Sequence, residues 1–297
     1  MKHKASELGP GIGAQFAAFA SAIRFSHTIF ALPFIIAALL LVEWGSELSV
    51  GRLLWILVAA VAARTAAMGF NRIADARIDA TNPRTQSREI PSGRLTKSVA
   101  WALTLGAALL FQIAAFALGP PCPQLAPVVL LILAGYSLTK RVTWTCHLFL
   151  GLALACGPMG ASVAVGAGLP LPILLLAAGV GLWVAGFDII YACQDADFDG
   201  GGGSHSIPGR FGIPRALQIS SVLHALAMAA FAGVGLTTDL GWIFALALLP
   251  IAVLIALQHS WVKPDDLSRV NRAFFDLNAW VSVAFCLAVA TDQLLPL

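Results

Sequence analysis

The residues of this chain best suited to chemistry are carboxylates set four apart. Asn71, Asp75 and Asp79 stand at i, i+4 and i+8, which puts one amide and two carboxylates on a single helix face. Asp188, Tyr191, Asp195 and Asp199 form a second cluster, in which steps of seven and four align three carboxylates on one stripe. Asp197 falls off that stripe and is expected in solvent. Carboxylates that face one another repel and take up protons unless a cation separates them. Hard oxygen ligands suit Mg²⁺, which takes one or two carboxylates and fills the rest of its shell with water and phosphate. Two such clusters can hold two Mg²⁺ with a diphosphate bridged between them. Arg64, Arg77, Lys140 and Arg141 are placed to complete the anion site.

Other polar residues carry weaker signals. Arg24 is placed either to meet a substrate anion or to snorkel toward headgroups. His27 reads as a packing residue. Ser204, His205 and Ser206 follow the run Gly200 to Gly203, where they either touch phosphate or belong to a plain flexible loop. Tyr136 and Tyr191, the only tyrosines, sit near span ends where an aromatic belt would place them. Their nearness to Lys140 and Asp195 favours site roles.

The elements that must position these groups are membrane helices. Of the 297 residues, 59% are hydrophobic and only 11% charged, against about 25% charged in soluble domains. That much apolar side chain cannot be hidden inside a soluble globule of this size. A soluble enzyme, a disordered chain and a nucleic-acid binder are excluded, and the expected fold is an all-α polytopic membrane protein. With roughly 20 apolar residues per span, nine spans are expected, at about 16–42, 51–71, 98–118, 124–139, 145–166, 171–193, 215–236, 241–259 and 273–294. The basic start precedes an apolar run too long for a signal sequence, so it reads as an uncleaved first span. The five Cys show no CxxC spacing and suggest neither zinc nor a disulfide framework.

With the amino terminus in the cytoplasm, Arg52 alone of the 18 Lys and Arg lies at the outer surface, the asymmetry of the positive-inside rule. No linker divides the chain, so residues 1–297 read as one domain. Within it, Asp75 and Asp79 recur 120 residues later as Asp195 and Asp199, each pair ending an even-numbered span. Similar stretches follow, Ile90-Pro91-Ser92-Gly93-Arg94 and Ile207-Pro208-Gly209-Arg210. Two four-helix halves plus a ninth helix, around a central cavity, is the simplest account.

On these residues the chain resembles the UbiA superfamily of intramembrane prenyltransferases. The paired motifs appear as Asn71/Asp75/Asp79 and Asp195/Asp199, and Ile23-Arg24-Phe25-Ser26-His27-Thr28, Asn82-Pro83-Arg84-Thr85, Tyr136-Ser137-Leu138-Thr139-Lys140-Arg141 and Tyr191-Ala192-Cys193-Gln194-Asp195 also look like family signatures. Within the superfamily it is most similar to the 4-hydroxybenzoate polyprenyltransferase-like branch, including the futalosine-route menaquinone type. The resemblance implies that Asn71, Asp75, Asp79, Asp195 and Asp199 hold Mg²⁺ on an allylic polyprenyl diphosphate. It implies an aromatic-acid acceptor, 4-hydroxybenzoate or 1,4-dihydroxy-6-naphthoate, whose carboxylate pairs with Arg24 or Arg64. Asp188 then stands near the acceptor as base or orienter, with Tyr191 or Phe187 stabilising the allylic cation. The polar stretches at about 72–97 and 194–214 become cytoplasmic caps, and the expected location is a bacterial inner membrane. One departure stands out: many relatives carry Asp directly after the motif's Asn, and here it is Arg72, which cannot ligate a cation.

The rival class is a secondary transporter that uses the acidic pairs as cation sites between repeats. Here the carboxylates lie at helix ends beside basic loops, not at mid-membrane breaks, which suits a phosphate-bearing substrate better. A phosphatidyl-group transferase would need a different carboxylate spacing. No obligate protein partner is expected.

Overall fold

The computed structural model describes residues 11–23, 31–42, 49–202 and 204–295. Two short helices come first, α1 (Ile12–Ala22) and α2 (Leu32–Leu41). Five long ones follow: α3 (Val50–Thr81), α4 (Lys97–Leu118), α5 (Cys122–Thr139), α6 (Cys146–Ala164) and α7 (Leu171–Ala192). A 3₁₀ turn at Cys193–Asp195 leads into α8 (Ala196–Gly200), and then α9 (Ile207–Phe211), α10 (Ile213–Leu236) and α11 (Trp242–Trp261). The last span is continuous through α12 (Val270–Arg272), a π turn at Ala273–Leu277 and α13 (Asn278–Leu294).

Among the described residues, eight helices are long and apolar enough to cross a membrane, where nine spans are expected from sequence. The difference lies in the first one. The run 16–42 contains α1 and α2, each too short to cross alone, and residues 24–30 lie outside the described residues. A second difference concerns the cap at 72–97. Residues 72–81 are the last turns of α3, so the non-helical strap is shorter, residues 82–96. Likewise 194–214 holds α8 and α9 instead of open loop.

Helix ends follow local chemistry. Ser49 caps α3 by accepting from the Arg52 N–H at 3.2 Å, and Thr96 caps α4. α2, α5, α7, α9 and α10 each carry proline in the first turn, where no N–H is needed. α3 ends at Asn82 because Pro83 disfavours helical backbone before it.

α7 is the most enclosed span. On one side, Phe34, Trp183, Phe231 and Phe285 from α2, α7, α10 and α13 form a solid aromatic core, each no more than 1% exposed. On the other side α6 meets α7 backbone to backbone: a Cβ at Gly151 would strike the Gly181 carbonyl, the close approach that small residues permit between membrane helices. Between α3, α5 and α6 the packing is open, and a cavity of about 510 Å³ remains.

Candidate active site

The functional side chains gather at the ends of α3, α5 and α7. Asn71 donates through Nδ2 to Asp75 Oδ2 at 3.0 Å, and the Lys140 ammonium at the end of α5 hydrogen-bonds the same oxygen. Asp75 is 1% exposed, and its other oxygen, Oδ1, has no hydrogen-bond partner. One turn on, Asp79 is paired with Arg88 at 2.7 Å.

The second motif faces the first through the strap. Asn82 Nδ2 and Arg84 Nε donate to Asp195 Oδ1 at 2.9 and 2.8 Å, and an Arg84 Nη closes a second contact on Oδ2. Arg84 Nη1 also donates to the Tyr191 hydroxyl at 3.0 Å, with its guanidinium 5.1 Å from the ring centroid. Burial works against the Arg84 cation, but its bonds to Asp195 and Tyr191 outweigh that and hold its pKa above the ordinary arginine value. Asp199 accepts from Ser204 Oγ at 2.5 Å, and Gly209 of α9 packs on its Cβ where a larger residue would collide. The strap is fastened at its far end by Thr96 to Gln15 and by Glu89 to Ser21 of α1.

The apolar cavity starts at this mouth. Along α3 its wall runs from Ile56 to Arg72, about 24 Å at 1.5 Å per residue. Its charged end carries Arg64, Arg72, Arg88, Tyr136 and Tyr191. Tyr191 packs on Phe274 at 4.4 Å between centroids, and the π turn of the last span presents Phe274 and Phe275 to the cavity. Irregular turns of this kind recur at functional sites.

Most of the residues expected at the site converge there: Asn71, Asp75, Asp79, Lys140, Tyr136, Tyr191 and Asp195. Others do not. Arg77 is exposed, on the face of α3 away from Asp75. Arg141 donates to the Ala74 carbonyl and pins α5 on α3 instead of facing a carboxylate. Arg64 lines the cavity and donates to the Ile23 carbonyl at 3.1 Å. Asp188 is bound to His147 at 2.6 Å. Asp197 is exposed as expected. Ser206 caps α9, and the His205 N–H bonds the Lys140 carbonyl, so both order the loop. Arg24 and His27 lie outside the described residues.

Sequence reasoning gave no individual role to Asn82, Arg84 or Arg88, although the strap stood out as polar and Arg-rich. His147 and Phe274–Phe275 it missed outright, because nothing local marks a contact made across 41 residues. Among the described residues no three His, Cys, Asp or Glu side chains converge on one point. The donor set therefore suits a cation that rests on one or two carboxylates and completes its shell with water and phosphate. The unpartnered, buried Asp75 Oδ1 is the atom such an ion would satisfy.

Fold and site together define a multi-pass, all-α intramembrane enzyme with a charged mouth set on an apolar cavity. Residues 31–282 match the UbiA prenyltransferase family, and the chain belongs to it. It is a UbiA-family prenyltransferase. The 4-hydroxybenzoate octaprenyltransferase of Chromohalobacter salexigens is 30% identical over 246 residues, 81% of this chain and 80% of that protein. The enzyme of the same name from Aromatoleum aromaticum is 30% identical over 77% of each chain. Among solved structures, the apo form of a UbiA homologue from Aeropyrum pernix K1 is 35% identical with a TM-score of 0.79, covering 91% of this chain and 99% of that one. A UbiA homologue from Archaeoglobus fulgidus, bound to GPP and Mg²⁺, shares the fold at 18% identity, a TM-score of 0.70 and coverage of 92% and 99%.

Proposed function

We propose that the chain transfers a polyprenyl group from an allylic polyprenyl diphosphate to an aromatic acid, 4-hydroxybenzoate or 1,4-dihydroxy-6-naphthoate, in ubiquinone or menaquinone synthesis. The observation that carries this reading is Arg84, which bonds Asp195 in the charged mouth and Tyr191 in the cavity wall. A diphosphate held at the mouth therefore has its isoprenoid tail in the apolar cavity and its allylic carbon at the boundary.

Asp75 and Asp79 on one side and Asp195 and Asp199 on the other would hold Mg²⁺, with Asn71 beside Asp75. Bound there, the metal supplies Lewis-acid stabilisation of the departing diphosphate. Lys140, Arg84 and Arg88 grip the same oxygens once their carboxylates are otherwise engaged. The allylic C–O bond breaks, and the faces of Tyr191, Phe187 and Phe274 stabilise the carbocation while the apolar walls keep water from it. The ring carbon ortho to the acceptor's phenolic hydroxyl forms the new C–C bond, and its proton leaves to Asp188, held by His147. The positive-inside pattern supports a mouth on the cytoplasmic face, and the bacterial origin of the similar octaprenyltransferases supports an inner-membrane location.

The test is a membrane assay with an allylic polyprenyl diphosphate, Mg²⁺ and labelled 4-hydroxybenzoate or 1,4-dihydroxy-6-naphthoate, with Asp75→Asn as the blank. Lipid-extractable product from one acceptor supports the reading and selects the pathway. No product from either would refute the aromatic-acid assignment.

A further inference from the structure

Among the described residues one side chain bonds Asp188, and that side chain is held in turn. The His147 imidazole, 3% exposed, meets Asp188 Oδ2 through Nδ1 at 2.6 Å. Its other nitrogen, Nε2, accepts the Ile207 N–H at 3.3 Å. Ile207 opens α9, so its N–H has no acceptor within the helix. The residue is buried, and the Ser206 hydroxyl beside it already accepts from Gly209. Without Nε2 that N–H would be buried and unsatisfied, which is costly. The hydrogen bond made by one ring nitrogen decides which nitrogen carries the proton. With a donor aimed at Nε2, the proton sits on Nδ1 and is given to Asp188. The neighbouring carboxylate favours an imidazolium, but an imidazolium would turn its Nε2–H against the Ile207 N–H. The loop before α9 is tied to the same region twice more. The His205 N–H bonds the Lys140 carbonyl at 2.7 Å, and Cys146 Sγ bonds the His205 carbonyl at 3.3 Å.

The group positioned in this way faces the reaction. Val184, Asp188, Tyr191 and Asp195 follow one another at helical spacing on one stripe of α7 and the turn after it. Val184 and Tyr191 line the cavity, and Asp195 stands at the mouth. The Asp188 side chain is 24% exposed, and among the described residues its Oδ1 makes no hydrogen bond. One carboxylate oxygen is thus fixed and the other is open. We infer that His147 is a positioning residue for Asp188, locked in its Nδ1–H form by the Ile207 N–H, so that the proton acceptor is complete only with α9 docked. The inference rests on the prenyl-transfer reading above and adds the residue that readies its base. In that step the C–H electron pair returns to the ring and the proton passes to Asp188 Oδ1. Water takes it when the product leaves.

Two amide replacements separate the two bonds of the imidazole. An Asn side chain ends near where Nδ1 stands, and a Gln side chain near where Nε2 stands. His147→Asn keeps a donor for Asp188 and gives up Ile207; His147→Gln does the reverse. The assay uses membranes and an acceptor deuterated ortho to its hydroxyl. His147→Gln lowers kcat about 10- to 100-fold, part of what a placed proton acceptor supplies. Both KM values stay, and the deuterium isotope effect on kcat exceeds that of wild type, because proton removal has become slow. His147→Asn recovers most of kcat. A merely structural role would not raise the isotope effect. Equal losses in the two variants, or a loss of kcat with the isotope effect unchanged, overturns the assignment. Nitrogen NMR spectra of protein carrying isotope-labelled histidine, in bilayers, read the lock without any turnover. The His147 signal, identified by its loss in either variant, is that of a neutral ring protonated at Nδ1. An Nε2–H ring or an imidazolium refutes the lock. If wild type prenylates no aromatic acid, the reading above fails and the role as base with it, while the spectrum still decides the lock.

Discussion

Removing the two members of the Asp75–Lys140 pair should have unequal consequences, because burial divides them unequally. The Asp75 side chain is 2% exposed and that of Lys140 27%. With Lys140→Met, the carboxylate stays enclosed with Asn71 as its remaining hydrogen-bond donor. Breaking a buried pair in that way costs about 3–5 kcal/mol, since an uncompensated charge is left behind. With Asp75→Asn, the cation left over reaches water, and the amide keeps one acceptor and fills the same space. That change should cost about 1 kcal/mol, near the net worth of an ordinary hydrogen bond. The difference, roughly 2–4 kcal/mol, corresponds to a gap on the order of 3–6 °C in unfolding temperature for a chain of this size.

Thermal unfolding of the purified protein in detergent with chelator present measures the gap. The double variant Asp75→Asn/Lys140→Met should be more stable than Lys140→Met alone, because it no longer buries a lone charge. Added Mg²⁺ should stabilise Lys140→Met by more than it stabilises wild type, since the carboxylate then has no competing cation. If Lys140→Met is no less stable than Asp75→Asn, or the double variant is the least stable of the three, the charge argument for this pair fails.

Asp195→Asn should abolish turnover while leaving the bundle folded, and EDTA should stop wild-type turnover until Mg²⁺ is restored. Activity that survives both treatments would remove the metal from the site. Asp292→Ala should lower stability by about 1–2 kcal/mol, the worth of a helix cap, because its carboxylate accepts from the Gly241 and Phe244 N–H groups at 2.8 Å each. The KM values should not move, and a shift in either would tie that far end of the bundle to the site. Gly151→Val should destabilise by about 1–3 kcal/mol, since its side chain meets the Gly181 carbonyl. An unchanged unfolding temperature would mean that α6 and α7 can separate without cost.

What was legible in the sequence is what one helix carries by itself. Asn71, Asp75 and Asp79 announce a shared face because a spacing of four is a local property, and length and polarity alone mark most of the spans. Boundaries drawn from polarity fail where hydrogen bonding ignores it. The span drawn to residue 71 stops at the first charges, yet α3 continues through them to Thr81. In the run 16–42 an unbroken apolar count overlooks Pro33, a helix-start signal in the first turn of α2. Pairs such as Lys140–Asp75, 65 residues apart, leave no local trace at all. The arginines of the strap were visible as charge, but their assignment to particular carboxylates comes only with the packing.

Those assignments give the strap a physical reason to fold where it does. Asp75, Asp79, Asp195 and Asp199 brought together without counter-charge would repel one another and hold the ends of α3 and α7 apart. Arg84 and Arg88, with Lys140 from α5, supply three cations to these carboxylates, and Asn82 and Ser204 add hydrogen bonds. The same cations are what a diphosphate needs. On the proposed reading, substrate binding exchanges partners within a set of charges already assembled, and the desolvation of each guanidinium has largely been met by folding.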